Sequence, residues 1–149
     1  MNRISFRRAK GYVLSAFFKE LAVVCKILIV DDNASFRRFL KAFLSDQFAH
    51  LGIVEAENGA AAMRIIDGVR PDLIFMDLKL PGENGLVLTR KIKTIYSPAI
   101  VILTSYDAVE YREAASACGA DYFLAKDAAS GAEVFSLTQS FLSGLPPQL

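Results

Sequence analysis

Leu73-Ile-Phe-Met-Asp77-Leu-Lys-Leu-Pro81-Gly82 sets an unbroken apolar run of strand length against a carboxylate and a Pro-Gly turn. A continuous rather than alternating run predicts a strand buried on both faces, as in a parallel sheet. The turn predicts that the chain leaves the sheet just after Asp77, so that its carboxylate stands at the C-terminal edge of the strand. A carboxylate held there can act as a nucleophile if the same edge supplies groups that neutralise an incoming substrate.

Working upstream, Lys26-Ile-Leu-Ile-Val30 is a similar run, ending in Asp31-Asp32-Asn33. Asn33 is a natural helix cap, and Phe36, Phe39, Leu40, Phe43 and Leu44 follow at helical spacing, with Arg37, Arg38 and Lys41 turned outward. Ile53 to Ala56 reads as a short strand, and Asn58-Gly59 opens an Ala-rich helix carrying Met63, Ile65 and Ile66 that ends near Gly68 and Pro71. Downstream of the Pro81-Gly82 loop, Leu86, Leu88, Ile92 and Ile95 mark a helix with Arg90, Lys91 and Lys93 exposed. Ala99 to Leu103 is a fourth strand, followed by Thr104-Ser105. A helix from about Ala108 to Cys118 stops at Gly119, a residue suited to a left-handed cap. Tyr122 to Ala125 is the fifth strand, ending at Lys126, and Ala132 to Leu142 is the last helix.

Strict alternation of strand and helix predicts an α/β domain: a doubly wound five-stranded parallel sheet with right-handed crossovers, strand order 2-1-3-4-5. The 149 residues, 53% hydrophobic and 22% charged, suit one globular domain. Cys25 and Cys118 lack metal-ligand company and read as packed free thiols in a reducing, cytoplasmic setting. His50 has no partner triad in sight and receives no role.

Charge is unevenly spread. Arg3, Arg7, Arg8, Lys10, Lys19 and Lys26 against Glu20 give the first 26 residues a charge of +5, which leaves −4 on the rest of a chain whose net charge is +1. A mildly acidic body argues against a broad nucleic-acid footprint. Residues 1–25 read as an extension, 26–144 as the domain and 145–149 as a tail. In the extension, Lys19-Glu20 interrupts the apolar stretch Tyr12 to Phe18 and no Ala-x-Ala site follows, so a secretion signal is a poor fit. An upstream start with the true one at Val23 or Val24, or an amphipathic helix bearing Val13, Phe17, Leu21 and Val24, are the two readings of it.

In a sheet of this order the first and third strands are neighbours at the switch point, where ligands bind. Asp31 and Asp32 end the first and Asp77 ends the third. Carboxylates so close repel one another, and a divalent cation relieves them; oxygen-only ligands favour magnesium, or manganese as a substitute. Thr104 adds a hydroxyl from the fourth strand and Lys126 an ammonium from the fifth. Acids, cation, hydroxyl and amine around one carboxylate form a phosphoryl-transfer site, with an aspartyl phosphate on Asp77 as product.

Over residues 26–144 the chain resembles the receiver domain of bacterial two-component response regulators, a flavodoxin-like fold. The resemblance rests on Ile-Leu-Ile-Val-Asp31-Asp32-Asn, Met-Asp77-Leu-Lys-Leu-Pro81-Gly82, Ile-Leu-Thr104-Ser105 and Gly119-Ala-Asp-Tyr-Phe123-Leu-Ala-Lys126. It implies Asp77 as phosphoacceptor, Asp32 as a direct metal ligand, Asp31 helping through water, and the backbone carbonyl of Lys79 as a further ligand. Thr104 and Lys126 would contact the phosphoryl group, and Thr104 with Phe123 would form the switch. It also implies a histidine kinase or phosphotransfer protein as donor, an output partner at the face of the fourth helix, fifth strand and fifth helix, and a homodimer linked to phosphorylation.

Three departures from the family pattern stand out. Phe123 lacks the hydroxyl of the tyrosine found in many receivers. Asp127 replaces a proline whose peptide is commonly cis; before a non-proline, cis costs about 3 kcal/mol. Lys79 and Tyr106, each two positions past a key residue, replace smaller or acidic side chains and are expected to tune the lifetime of the phosphoryl group. The principal reading is a stand-alone receiver that catalyses only its own phosphorylation and dephosphorylation. One alternative is a receiver cut from a DNA-binding response regulator. A more remote one is an aspartyl-nucleophile phosphohydrolase, which expects Asp-x-Asp-x-Thr after the first strand where this chain has Asp31-Asp32-Asn33-Ala34-Ser35. A flavin site would share the sheet, but crowded acids suit a metal better than a flavin phosphate.

Overall fold

The computed structural model describes residues 25–127 and 130–144. Strands β1 (Cys25–Val30), β2 (Leu51–Ala56), β3 (Leu73–Met76), β4 (Ala99–Thr104) and β5 (Tyr122–Ala125) alternate with helices α1 (Ala34–Gln47), α2 (Gly59–Val69), α3 (Gly85–Ile95), α4 (Val109–Ala117) and α5 (Ser130–Ser143). The strands form one sheet in the order β2-β1-β3-β4-β5, the expected doubly wound arrangement, and every pair is parallel. A two-residue antiparallel ribbon, Lys79–Leu80 against Glu83–Asn84, fills the turn between β3 and α3.

The apolar runs lie in the middle of the sheet because both of their faces are covered. On one face Leu28, Val30, Ile74, Met76, Ile100 and Ile102 pack with Ala62 and Ile66 of α2, Leu88 and Ile92 of α3, and Ala115 of α4. On the other, Ile27, Ile29, Phe75, Val101 and Leu103 pack with Leu40 and Leu44 of α1 and Val134 and Leu137 of α5. Each of the larger of these side chains, the valines, leucines, isoleucines, methionine and phenylalanine, stabilises the fold by roughly 1.5–3 kcal/mol on removal from water.

Asn33, Asn58 and Asn84 cap α1, α2 and α3, their side chains accepting from the backbone N–H of Phe36, Ala61 and Leu86. Cys118 closes α4, and Gly119 turns the chain at a φ of +93°, a left-handed conformation that glycine adopts without strain. Expectations for the helix faces need correction in four places. Phe39 is 62% exposed, stacked on Phe43 and tilted against Phe36, so the core-facing stripe of α1 is narrower than its aromatic spacing implied. Ile95 is 43% exposed at the end of α3. Arg37 is turned inward rather than outward. Lys93 is half-buried, its ammonium donating to Pro98 O at 2.6 Å and to Asp121 at 2.9 Å. The readings of residues 1–24 and of the tail 145–149 lie outside the described residues. Among the described residues, no helix is long and apolar enough to cross a membrane.

Candidate functional site

Register brings the acids together. Val30 pairs with Met76 as the last rung between β1 and β3, so Asp31 and Asp77 follow on adjacent strands at one height. Asp77 N–H donates to Val30 O at 2.9 Å and Asp31 N–H to Ala56 O at 3.0 Å, which fixes both backbones as the strands end. Thr104 pairs with Ala125 in the last rung between β4 and β5, and Lys126 N–H donates to Thr104 O at 2.8 Å. The sheet thereby delivers the predicted acids, hydroxyl and amine to one edge.

Asp31, at 2% exposure, and Asp77, at 8%, are buried. The Lys126 ammonium lies between them, ion-paired with Asp31 Oδ2 and 3.2 Å from Asp77 Oδ2. Asp77 Oδ1 accepts from Leu78 N–H at 2.7 Å, and Asp31 Oδ1 from Asn33 N–H at 2.8 Å. Burial pushes the Asp31 carboxyl above its usual range, and hydrogen bonds from Lys126 and Asn33 pull it back. Asp31, Asp32 and Asp77 each present a carboxylate oxygen, and these oxygens all lie within 4.8 Å of one another, with Asp32 exposed. An oxygen-only donor set on that scale fits a hard divalent cation. Thr104 is buried, and its Oγ1 accepts from Tyr106 N–H at 3.3 Å.

The two residues expected to tune the site meet each other: the Lys79 ammonium lies 4.0 Å from the centroid of the Tyr106 ring. The Lys126–Asp127 peptide is trans, there being no cis bond among the described residues, and Asp127 N–H donates to Ala125 O at 3.0 Å.

Three supports of the site escaped the sequence reading. Arg37 reaches back from α1 to donate to Asp31 O at 2.6 Å and to Glu55 at 3.3 Å, bracing the strand end on which the acids sit. Its signal was only an arginine on the same turn as the half-buried Phe36, whose ring lies 4.1 Å from the Lys126 ammonium. Arg112 of α4 covers Phe123, its guanidinium 4.7 Å from the ring centroid, and also donates to Phe123 O at 3.5 Å and Asp107 at 2.6 Å. Gly85 packs against the backbone of Asp77: a β-carbon at Gly85 would overlap the Asp77 carbonyl oxygen. A glycine opening a helix, where alanine is the better helix former, was the one hint.

A five-stranded doubly wound sheet with its polar groups gathered at the switch point defines a flavodoxin-like α/β domain. Within that class the chain belongs to the response regulator receivers: the family described as "Response regulator receiver domain" matches residues 27–134. The transcriptional regulatory protein YdfI of Bacillus subtilis is 39% identical over 107 residues, covering 70% of this chain and 49% of YdfI. A two-component response regulator from Clostridium difficile superposes with a TM-score of 0.74 at 27% identity, covering 80% of this chain and 96% of that one. The BeF3-activated N-terminal receiver domain of Klebsiella pneumoniae RstA gives 0.71 at 26% identity, covering 78% and 97%. The chain spans about half the length of YdfI.

Proposed function

We propose that this receiver accepts a phosphoryl group on Asp77 from a histidine kinase or phosphotransfer protein and changes its partner binding in response. The observation that carries the reading is the Lys126 ammonium set between two buried carboxylates beside a third acid. Chemically, a carboxylate oxygen of Asp77 forms a bond to phosphorus as the donor's bond to phosphorus breaks, and the electron pair leaves with the donor. Lys126 and the Thr104 hydroxyl meet the charge on the transferred oxygens. Asp31, Asp32, Asp77 and the Lys79 carbonyl would hold magnesium, or manganese in its place, Asp31 through water; the ion supplies further neutralisation of those oxygens. Lys79 and Tyr106 set how long the phosphoryl group lasts. The only reactions catalysed are the domain's own phosphorylation and dephosphorylation.

For the switch, Thr104 turns from Tyr106 N–H toward the phosphoryl group, and Phe123 moves into the space it leaves, drawing away from Arg112. The output surface is the face of α4, β5 and α5. Exposed Val109, Tyr111 and Tyr122 support this, as do the covering contacts of Arg112. A homodimer linked to phosphorylation and a cytoplasmic location belong to the same reading, with no direct nucleic-acid contact by this domain. A stand-alone receiver is one whole-protein arrangement. The receiver of a longer DNA-binding regulator is the other, and the transcriptional role and double length of YdfI favour it.

Metal removal tests the acid cluster. Incubation with acetyl phosphate and magnesium is expected to give a phosphate adduct by intact mass, and excess chelator to reduce its formation to background. An adduct of equal yield in chelator would contradict a cation-dependent site.

A further inference from the structure

The Lys126 ammonium has a third neighbour besides its two carboxylates. It is ion-paired with Asp31 Oδ2, lies 3.2 Å from Asp77 Oδ2, and stands 4.1 Å from the centroid of the Phe36 ring. An ammonium carries three N–H donors. Two carboxylate oxygens and one aromatic face account for all three, in keeping with a side chain that is only 12% exposed. The ring is itself held in place. Phe36 N–H donates to the Asn33 cap at 3.1 Å, its side chain packs against the core beneath α1, and exposed Phe39 leans on it with ring centroids 6.5 Å apart. A carbonyl or hydroxyl in the ring's position would bind the ammonium in one direction. An aromatic face attracts it through the ring's quadrupole, over a broad area, so Nζ can pivot between oxygens without losing this contact.

We propose that Phe36 is a positioning residue for phosphoryl transfer: its ring face holds the Lys126 ammonium beside the acid cluster, poised to turn from the Asp31 and Asp77 carboxylates to the oxygens of an incoming phosphoryl group. The inference rests on Asp77 being the phosphoacceptor and deepens the part Lys126 plays there. In the step itself, an Asp77 oxygen bonds to phosphorus while the bond from phosphorus to the donor breaks; with acetyl phosphate the electron pair leaves on acetate. Phe36 touches none of these atoms and acts only through the ammonium. An aliphatic side chain in its place would leave one side of the ammonium against hydrocarbon. A strongly hydrated point charge on a flexible stem answers that by moving toward water, and so away from phosphorus.

The test uses the full chain with acetyl phosphate and magnesium, the rate of adduct formation being followed by intact mass. Phe36→Leu is expected to slow formation by roughly three- to tenfold, the strength of a partly desolvated cation–π contact. Fluorination separates the ring's charge from its packing, because fluorine draws electron density off the face while nearly keeping the volume. Phe36→pentafluorophenylalanine is expected to be as slow as Phe36→Leu, and Phe36→4-fluorophenylalanine to fall between it and the wild type. In the Lys126→Met chain, where no ammonium remains to be held, the pentafluoro ring is expected to change nothing further. A pentafluoro protein that phosphorylates at the wild-type rate would overturn the proposal, as would a fluorine effect of the same size in the Lys126→Met chain. No adduct on the wild-type chain would overturn the assignment of Asp77 and this inference with it, whereas equal rates across the fluorinated series overturn the role of Phe36 alone.

Discussion

Lys126→Met is expected to slow formation of the acetyl phosphate adduct by about 100- to 1,000-fold, the usual loss when one preorganised group that meets developing charge is removed. The same change weakens the fold. Lys126 is the ammonium shared by Asp31 and Asp77, both buried, and methionine fills its volume without its charge. Breaking a buried pair by removing one partner costs about 3–5 kcal/mol, which chemical denaturation of the metal-free protein would register. The loss also carries a pH signature. Burial already raises the Asp31 carboxyl, and the Lys126 hydrogen bond and charge oppose it, as does the backbone N–H of Asn33. Without the lysine the folded state holds its proton to higher pH than the unfolded chain does. The variant's deficit is therefore smallest below the ordinary carboxylate range and grows as pH rises through the raised value. A deficit that stayed constant from acid to neutral pH would contradict this account of Asp31.

Gly85→Ala is expected to be nearly as damaging, for a steric reason. The added β-carbon would meet the carbonyl oxygen and carbon of Asp77 and the Cα of Leu78, all backbone atoms that cannot rotate away. Gly85 N–H is also bound to Leu78 O at 2.7 Å, so the start of α3 is held against the strand end from both sides. Overpacking of this kind costs about 1–3 kcal/mol. Relief comes only by moving the Asp77 backbone, and a displacement of about 1 Å at a reacting group can cost on the order of 100-fold in rate. Adduct formation measured beside thermal unfolding distinguishes the two effects. A folded Gly85→Ala protein that phosphorylates at the wild-type rate would contradict the close packing of α3 on Asp77.

Most of the site was legible in the sequence because its residues sit where strands end. Asp31, Asp77 and Lys126 each follow an apolar run, Thr104 closes one, and the order of a doubly wound sheet converts those positions into neighbours. Asn33, Asn58 and Gly119 at helix ends were equally readable, since their local chemistry does not depend on the rest of the fold. What stayed hidden depends on tertiary contact. Arg37 and Arg112 have the spacing of solvated helix charges, and only the packing of α1 on β1 and of α4 beside β5 shows that one braces Asp31 and the other covers Phe123. Phe39 misled in the opposite direction: helical spacing places it beside Leu40 and Phe43, but the width of the buried stripe is set by the sheet beneath. The meeting of Lys79 with Tyr106 joins two loops 27 positions apart, a distance no periodicity covers.

Incubation with acetyl phosphate and magnesium, read by intact mass on the wild-type chain and on Asp77→Asn, tests the central assignment most directly. The account predicts a single phosphate adduct on the wild type and none on Asp77→Asn, which keeps the size of the side chain and removes the nucleophilic carboxylate. An adduct of equal yield on both proteins, or none on the wild type, would contradict it.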